Sequence, residues 1–357
     1  MKDVTPYCLA AGILFLAATP VQASCGSSNC FLVTGSQHGL AAPGQVVLDL
    51  SYRYLPQNQK QAGSSSSSEV LTPKISFEEN QIEADHHREI STLNSLAQFD
   101  LTFGITPRLT LGIELPFYND RRHEHDDLVE SDEHHEDEEE HVEEHEAEAN
   151  ESGDEEHQES EFAFSNSDGT SGLGDLSITT RYAFLSTTRH LLAGGLGVKL
   201  PTGEYELRDS QGHINEPSLM PGTGSYDYLL SGFYSYQWQP HKFDSYAAIA
   251  YRLTTENDLD YEFGNALTLS VGSNYRVIDN FIVSTQLNAR QAKRDQFNGE
   301  NVPSTGNTMV YLTPGLRLIS SKSTEFYFHL QLPVYEKVNE VNLVPEYGVQ
   351  FGVSHSI

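Results

Sequence analysis

The stretch FDLTFGITPRLTLGIELPF, residues 99–117, decides the fold because it contains two alternating segments joined by a short turn at Pro107. Before the turn, apolar side chains occupy every second position, at Phe99, Leu101, Phe103 and Ile105. After the turn, the same period continues at Leu109, Leu111, Ile113, Leu115 and Phe117. Successive side chains of a β-strand point to opposite faces, so this period predicts a hairpin with one apolar and one polar face.

The same alternation recurs in twelve segments, each bounded by Gly, Pro, Asn, Asp or Ser. The predicted strands are residues 45–54, 91–105, 109–117, 175–184, 191–200, 226–238, 243–253, 266–276, 281–290, 309–319, 325–334 and 347–354. Alternation by itself also fits a soluble antiparallel sandwich with one wet face.

Three features favour a transmembrane barrel over a sandwich. The connections alternate between short turns, such as 106–108, and long loops, such as 118–174, as in bacterial outer-membrane barrels. Aromatic residues gather at strand ends on the apolar face, as at Tyr236 and Trp238, and the strand count is even. A tilted strand of about ten residues rises about 25 Å, the height of the apolar band. We therefore predict an all-β, transmembrane antiparallel β-barrel of about 12 strands, with short periplasmic turns and long outer loops.

The N-terminal residues predict export to the cell outer membrane of a Gram-negative bacterium. Residues 1–23 have a basic residue near the start, an apolar stretch and a small-x-small cleavage site ending at Ala23, as in a signal peptide. Residues 24–44 would then form a periplasmic N-terminal segment, and residues 45–357 the barrel.

Signal cleavage would leave two cysteines, Cys25 and Cys30. An even number of cysteines in an oxidising compartment favours a disulfide. The alternatives are a metal site that includes His38 and a lipid anchor on Cys25.

Charge is distributed very unevenly along the 357 residues. The chain has 51 acidic and 21 basic side chains and a formal net charge of −30, which excludes a nucleic-acid binder. No apolar run reaches the roughly 18 residues of a transmembrane helix. Between Asp120 and Glu161 there are 22 acidic and two basic residues, about two thirds of the net charge. Residues 118–170 are therefore predicted to form a disordered external loop rich in His, Asp and Glu.

Histidines concentrate in this loop and around its first strand. Seven lie between residues 123 and 157: His123, His125, His134, His135, His141, His145 and His157. Imidazole and carboxylate ligands suit divalent transition metals, and we expect zinc, nickel or copper to bind, zinc above the others. The alternative is a solvated acidic segment whose histidines bind no metal. The barrel itself requires no cofactor.

Strand pairing predicts a second metal site at the barrel mouth. A hairpin about Pro107 brings His86 and His87 beside His123 and His125, because the two pairs lie at similar distances from the turn. Asp85, Asp120 and Asp126 would lie close to the same four histidines.

Charged residues on the polar strand faces predict a hydrophilic lumen. They are Asp49, Arg53, Asp100, Glu114, Arg181, Lys199, Arg252, Arg276, Arg290, Arg317 and Glu346. Basic residues outnumber acidic ones, so an acidic mouth would lie above a mildly basic throat. The alternative role for these charges is pairing across a narrow lumen to hold the wall together.

Two glycine-rich stretches carry a family resemblance. Gly172-Leu173-Gly174-Asp175-Leu176 with Arg181-Tyr182, and residues 195–203, resemble the outer-membrane transporter-like family associated with the meta-pathway of phenol degradation. The ending 347–353 resembles the signal read by the barrel-assembly machinery, although the final residue is Ile357 where Phe is usual. The resemblance implies a barrel and uptake of small molecules.

Together these features predict an outer-membrane channel for a small solute whose external loop captures divalent transition metal. One alternative is a non-conducting, barrel-anchored surface protein for metal binding or adhesion, and a second is a passive channel for aromatic or hydrophobic compounds. An enzyme is not expected, because motifs such as Gly-x-Ser-x-Gly and His-Glu-x-x-His do not occur. The expected partners are membrane lipid, lipopolysaccharide, the barrel-assembly machinery, and the metal or solute.

Overall fold

The computed structural model describes residues 40–128, 162–208 and 212–357. The predicted signal peptide, Cys25 and Cys30 lie outside the described residues, as does most of the acidic loop with His134, His135, His141, His145 and His157. Within the described ranges, no helix has the length and apolar character needed to cross a membrane.

The described chain is built almost entirely from β-strands. In chain order they are β1 (Val46–Ala62), β2 (Ser65–Ser66), β3 (Leu71–Ser76), β4 (Gln81–Gly104), β5 (Leu109–Leu128), β6 (Phe162–Leu173), β7 (Leu176–Ser186), β8 (His190–Leu200), β9 (Asp227–Gln239), β10 (Phe243–Leu253), β11 (Tyr261–Glu262), β12 (Ala266–Ile278), β13 (Phe281–Ala292), β14 (Gln296–Phe297), β15 (Glu300–Asn301), β16 (Asn307–Ile319), β17 (Thr324–Val338), β18 (Val341–Pro345) and β19 (Gly348–Ser356). A short 3-10 helix, Pro217–Leu219, lies between β8 and β9.

One antiparallel sheet closes on itself as a barrel. Fourteen strands lie along it in the order β18-β1-β19-β17-β16-β13-β12-β10-β9-β8-β7-β5-β4-β3, and a further pairing of β1 with β4 closes the ring. The first strand pairs with the last, because residues 47–54 of β1 pair with β19. On its other edge, residues 46–57 of β1 pair with β4. The all-β, antiparallel, closed fold predicted from the alternation is confirmed.

The predicted count of about twelve strands is two short of the fourteen along the sheet. All twelve predicted segments are strands, and the two additional ones, β3 and β18, lie in stretches predicted as outer loops. They pair only with the far ends of long neighbours, β3 with residues 81–88 of β4 and β18 with residues 57–62 of β1. β1 and β4 are longer than the roughly ten residues that span a membrane. β18 and β3 pair with the parts of these strands that extend beyond that span.

Part of the segment 118–170, which the sequence predicts to be disordered, instead forms paired strands. Its first residues continue β5 as far as Leu128, and β6 pairs with this extension. Pairing with β6 satisfies backbone N–H and C=O groups that would hydrogen-bond to water in an unpaired loop.

The barrel has its apolar side chains outside and its polar side chains inside. On β4, Phe99 is 42 % exposed, whereas the adjacent Gln98 and Asp100 are buried. On β9, Tyr228 and Trp238 are both exposed on the outer face, ten residues apart and close to the two strand ends. About ten residues of tilted strand rise about 25 Å, so these two rings mark the edges of an apolar band. This distribution is the reverse of a soluble protein and indicates a lipid-facing wall.

The end of the barrel with the long connections, hereafter the long-loop end, is partly roofed. Tyr261, Phe263, Phe297 and Val302 form a buried apolar cluster against which the hairpin of β3 and β4 packs. The rings of Phe77 in that hairpin and Phe297 meet edge to face at 5.4 Å. Long connections that are distant in sequence therefore share a small core at the long-loop end.

Candidate functional site

The lumen contains a cavity of about 430 Å³. Six of the side chains predicted to face the lumen line it: Arg53, Glu114, Arg181, Lys199, Arg252 and Arg290. Apolar side chains, among them Leu96 and Phe233, share the wall with them. The cavity therefore offers both cationic and apolar surface to a small solute.

The connection between β8 and β9, residues 201–226 and hereafter the inner loop, folds into the barrel. Pro217, Ser218 and Met220 from this loop line the same cavity. The guanidinium of Arg121 on β5 donates hydrogen bonds to the carbonyl oxygens of Ser218 and Met220, at 2.9 and 3.0 Å. Arg121 is 1 % exposed, so these bonds are sheltered from water. The inner loop thus narrows the lumen and is tied to its wall.

A single carboxylate, that of Asp175 at the start of β7, holds the base of the inner loop. It accepts hydrogen bonds from the backbone N–H of Gly203 at 3.0 Å and from the N–H and hydroxyl of Thr223 at 3.0 and 2.8 Å. It also pairs with the Lys199 ammonium at 2.7 Å. Asp175, Lys199 and Gly203 belong to the glycine-rich stretches that carry the family resemblance, so that sequence pattern encodes most of the anchor of the inner loop.

Glycines allow the two ends of the inner loop to meet. A Cβ added at Gly222 would lie 2.2 Å from the carbonyl oxygen of Gly203, closer than any side chain allows. The bare backbones therefore pack against each other directly beside the Asp175 carboxylate.

Beyond the inner loop, His87 on β4 and His123 and His125 on β5 come together at the mouth. The rings of His87 and His125 stack with centroids 4.2 Å apart, and those of His123 and His125 lie 4.8 Å apart. All three side chains are buried. The register of the β4–β5 hairpin explains why these rings are in contact, because His87 pairs with Asp127 and Glu89 pairs with His125.

Two carboxylates complete what we call the mouth cluster, which comprises His87, Glu89, His123, His125 and Glu216. His87 Nδ1 lies 2.8 Å from Glu216 Oε1, and His123 Nε2 lies 3.3 Å from Glu89 Oε2. Glu216 belongs to the inner loop and immediately precedes its 3-10 helix. The cluster therefore joins the barrel wall to the inner loop.

The two carboxylates have opposite shifts in pKa. Burial, reinforced by the nearby charge of Glu216, raises the pKa of Glu89 to about 8. Burial also acts to raise the pKa of Glu216, but the hydrogen bond with His87 and the charges of His123, His87 and His125 lower it to about 2. Glu89 lies further from the turn at 105–108 than the roughly ten residues of β4 that span the membrane. Glu216 contacts His87, which is further still from that turn.

The structure separates the predicted mouth residues into two groups. His87, His123 and His125 meet as predicted. His86 adjoins them, because its ring contacts the His87 ring at a centroid distance of 4.9 Å, and it also lies 3.6 Å from Glu83. Asp126 instead forms an ion pair with Arg88. Asp85 is exposed at a positive-φ position of β4, and the side chain of Asp120 is outside the described residues.

Two members of the mouth cluster, Glu89 and Glu216, were not predicted from the sequence. Glu89 lies two residues from His87 and shares its strand face, so alternation alone could have identified it. Glu216 reaches the cluster only because the inner loop folds inward, which no local pattern signals.

The remaining predicted lumen residues occupy different positions. Asp49 and Asp100 are buried on inward faces, where the Tyr327 hydroxyl donates to Asp49 at 2.6 Å. Arg317 lies 3.9 Å from Glu325. Arg276 donates to the carbonyl oxygens of His241 and Asp279 at the turns of the short-turn end. Glu346 is exposed in the connection between β18 and β19.

An antiparallel barrel with an apolar outer face and a charged interior defines the class of outer-membrane barrels. A family model described as "Putative MetA-pathway of phenol degradation" matches residues 145–340, and the chain belongs to this family. The match includes the Asp175 anchor and the whole inner loop.

One solved structure supports the fold. An outer membrane channel from Pseudomonas putida F1 is similar at a TM-score of 0.62 and 14 % identity, over 91 % of this chain and 100 % of that one. The toluene transporter TodX from P. putida is more distant, with a TM-score of 0.37 and 9 % identity over 88 % of this chain and 90 % of that one. No curated protein sequence matches the chain.

Proposed function

We propose that the protein is an outer-membrane channel for a small solute, with its long-loop end outside the cell. The observation that carries this proposal is the cavity of about 430 Å³ inside a barrel whose outer wall is apolar. A barrel that served only as an anchor would need no such cavity. The inner loop sets the width of the pathway, since it lines the cavity and is bound to Arg121.

A small aromatic compound with a polar group is the favoured solute class. The cavity wall combines the guanidinium groups of Arg181 and Arg252 with the apolar side chains of Leu96, Phe233 and Phe263. Such a wall can contact an aromatic ring and bind its polar substituent in the same place. The family description, which names phenol degradation, points to the same class.

The acidic, histidine-rich segment 129–161 adds metal capture to this proposal. Its carboxylates would concentrate cations at the mouth, and its histidines would bind divalent transition metal reversibly. Deleting the segment should lower the number of zinc ions bound per chain while leaving the barrel folded.

Single-channel recording in planar bilayers tests the channel. We expect conductance from the wild-type protein and a larger conductance from Arg121→Ala, because this change releases the inner loop from the wall. Arg122→Ala is the matched control, since Arg122 is the next residue on β5 and is exposed. The absence of conductance from the folded wild type would favour the alternative of a non-conducting surface anchor.

A further inference from the structure

The mouth cluster has the composition and spacing of a metal site. We propose that His87, Glu89, His123 and Glu216 bind one divalent transition metal ion, zinc above others, and that this ion fastens the inner loop to the barrel wall. The site is separate from the acidic segment 129–161 and goes beyond the proposed channel function. Its ligands come from three elements: β4, β5 and the inner loop.

The ligand atoms are close enough for one ion. His87, Glu89, His123 and Glu216 each offer an atom within 4.8 Å of the others. Atoms about 2.0–2.2 Å from a tetrahedral zinc lie about 3.3 Å from one another. The His123–Glu89 separation already has this value, at 3.3 Å, and the His87–Glu216 separation is shorter, at 2.8 Å, because those two atoms share a hydrogen bond. Small side-chain adjustments would therefore complete the coordination.

Neighbouring hydroxyl groups orient two of the ligands. The Thr92 hydroxyl is in hydrogen-bond contact with His123 Nδ1 at 2.9 Å, so Nε2 is the ring atom that faces Glu89. The Thr72 hydroxyl donates to Glu89 Oε1 at 2.5 Å and leaves Oε2 toward His123. Outer contacts that fix a ring and a carboxylate in this way are usual around metal ligands.

The site also has space and a suitable charge. Glu89, His123 and Glu216 border a separate cavity of about 80 Å³ that Thr92 also lines. This volume exceeds the 10–15 Å³ or so that one water needs. One divalent ion would balance the charge of two carboxylates.

Glu216 gives the ion its structural role. It immediately precedes Pro217–Leu219, the part of the inner loop that borders the main cavity. The ion would therefore add a further attachment between loop and wall, at Glu216 rather than at the loop base that Asp175 holds. Metal binding would hold the inner loop in its inward position.

Calorimetric titration of the metal-stripped, detergent-purified protein with Zn²⁺ tests the proposal. We expect His87→Ala/His123→Ala to weaken the tightest zinc site at least about 10-fold, because two ligands are lost. The matched control, His141→Ala/His145→Ala, also removes two histidines, from the acidic segment, and should leave the tightest site unchanged. Equal effects of the two double variants, or an unchanged tightest site in the first, would overturn the proposal.

A second variant, Glu216→Gln, addresses the role of the inner loop with little change of volume. It should weaken the tightest site by at least about 10-fold as well. Wild-type affinity in this variant would refute the fastening of the loop, even if the double histidine variant misfolds. The titration requires no conducting pore, so its result is independent of the channel proposal.

Discussion

Glu340, between β17 and β18, shows how one residue joins outer connections that are distant in sequence. The Arg294 guanidinium donates to both of its carboxylate oxygens, and the backbone N–H of Ser304 donates to Oε2 at 3.0 Å. Burial opposes ionisation, but these hydrogen bonds and the charge of Arg294 lower the pKa of Glu340. The ionised carboxylate therefore stabilises the folded state.

The stability that Glu340 contributes should depend on pH. Because its pKa is lower in the folded state, the contribution is fully present above the ordinary value of about 4.3 and is lost as the pH falls through the lowered value. Glu340→Gln should lower the thermal midpoint at pH 7, by an amount that corresponds to no more than about 1 kcal/mol for an exposed pair. The difference should shrink below about pH 4. Glu346→Gln is the control, and a difference that stays constant from pH 7 to pH 3 would contradict the account.

At the same scale, the mouth cluster shows what the sequence can predict. Distance from the turn at Pro107 was enough to bring His87 near His123 and His125, because antiparallel pairing has few registers. Bulges between Glu89 and Ser91 and between Leu93 and Leu96 decide which side chains finally meet. They direct Glu89 into the cluster, and His86 lies at its edge, near both Glu83 and the His87 ring.

Among the elements, the inner loop depends most on a single carboxylate. Asp175→Ala would leave the buried Lys199 ammonium with Asp227, at 3.5 Å, as its carboxylate partner. It would also remove three hydrogen bonds from the loop. Removing one partner of a buried ion pair lowers the free energy of unfolding by about 3–5 kcal/mol. We therefore expect the inner loop to leave its inward position and become cleavable by protease while the barrel stays folded.

Limited proteolysis of the folded protein in detergent checks this prediction. Cleavage within residues 201–226 should be faster in Asp175→Ala than in the wild type. Asp258→Ala removes an exposed carboxylate from the same end of the barrel and should leave the rate unchanged. Equal rates in all three proteins would show that Asp175 is not the anchor.

The elements also show where strand prediction succeeds. Alternation identified every segment that faces lipid, because lipid on one side and water on the other impose a strict period of two. β3, β6 and β18 lie toward the long-loop end, where neither strand face meets lipid. Their sequences, such as FAFSNSDGTSGL in β6, carry weak or irregular alternation. They are strands because longer neighbours offer them a pairing edge.

For the whole molecule, charge separates into two regions of opposite sign. Between Asp120 and Glu161 the sequence is strongly acidic, whereas Arg53, Arg181, Lys199, Arg252 and Arg290 bring basic groups to the lumen cavity. Composition predicted both regions, but only the three-dimensional arrangement shows that the basic groups line one cavity. An anion that passes the mouth would find a favourable pathway inside.

This arrangement predicts anion preference in the channel. The reversal potential in a KCl gradient should indicate chloride selectivity, and Arg181→Gln should shift it toward cations because a cavity-lining charge is lost. Arg189→Gln is the matched control, since Arg189 is exposed at the short-turn end and donates to Tyr236. A reversal potential that is the same in Arg181→Gln and the wild type would show that the lumen charges do not set selectivity.

The pairing of β1 with β19 also determines when the barrel can form. This contact joins residue 47 to residue 356, so the first strand gains its second neighbour only after the intervening chain has been synthesised. Until then β1 and β17 are open edges, which can pair with other chains. Such a high contact order makes folding slow and makes assembly dependent on protection of the two edges.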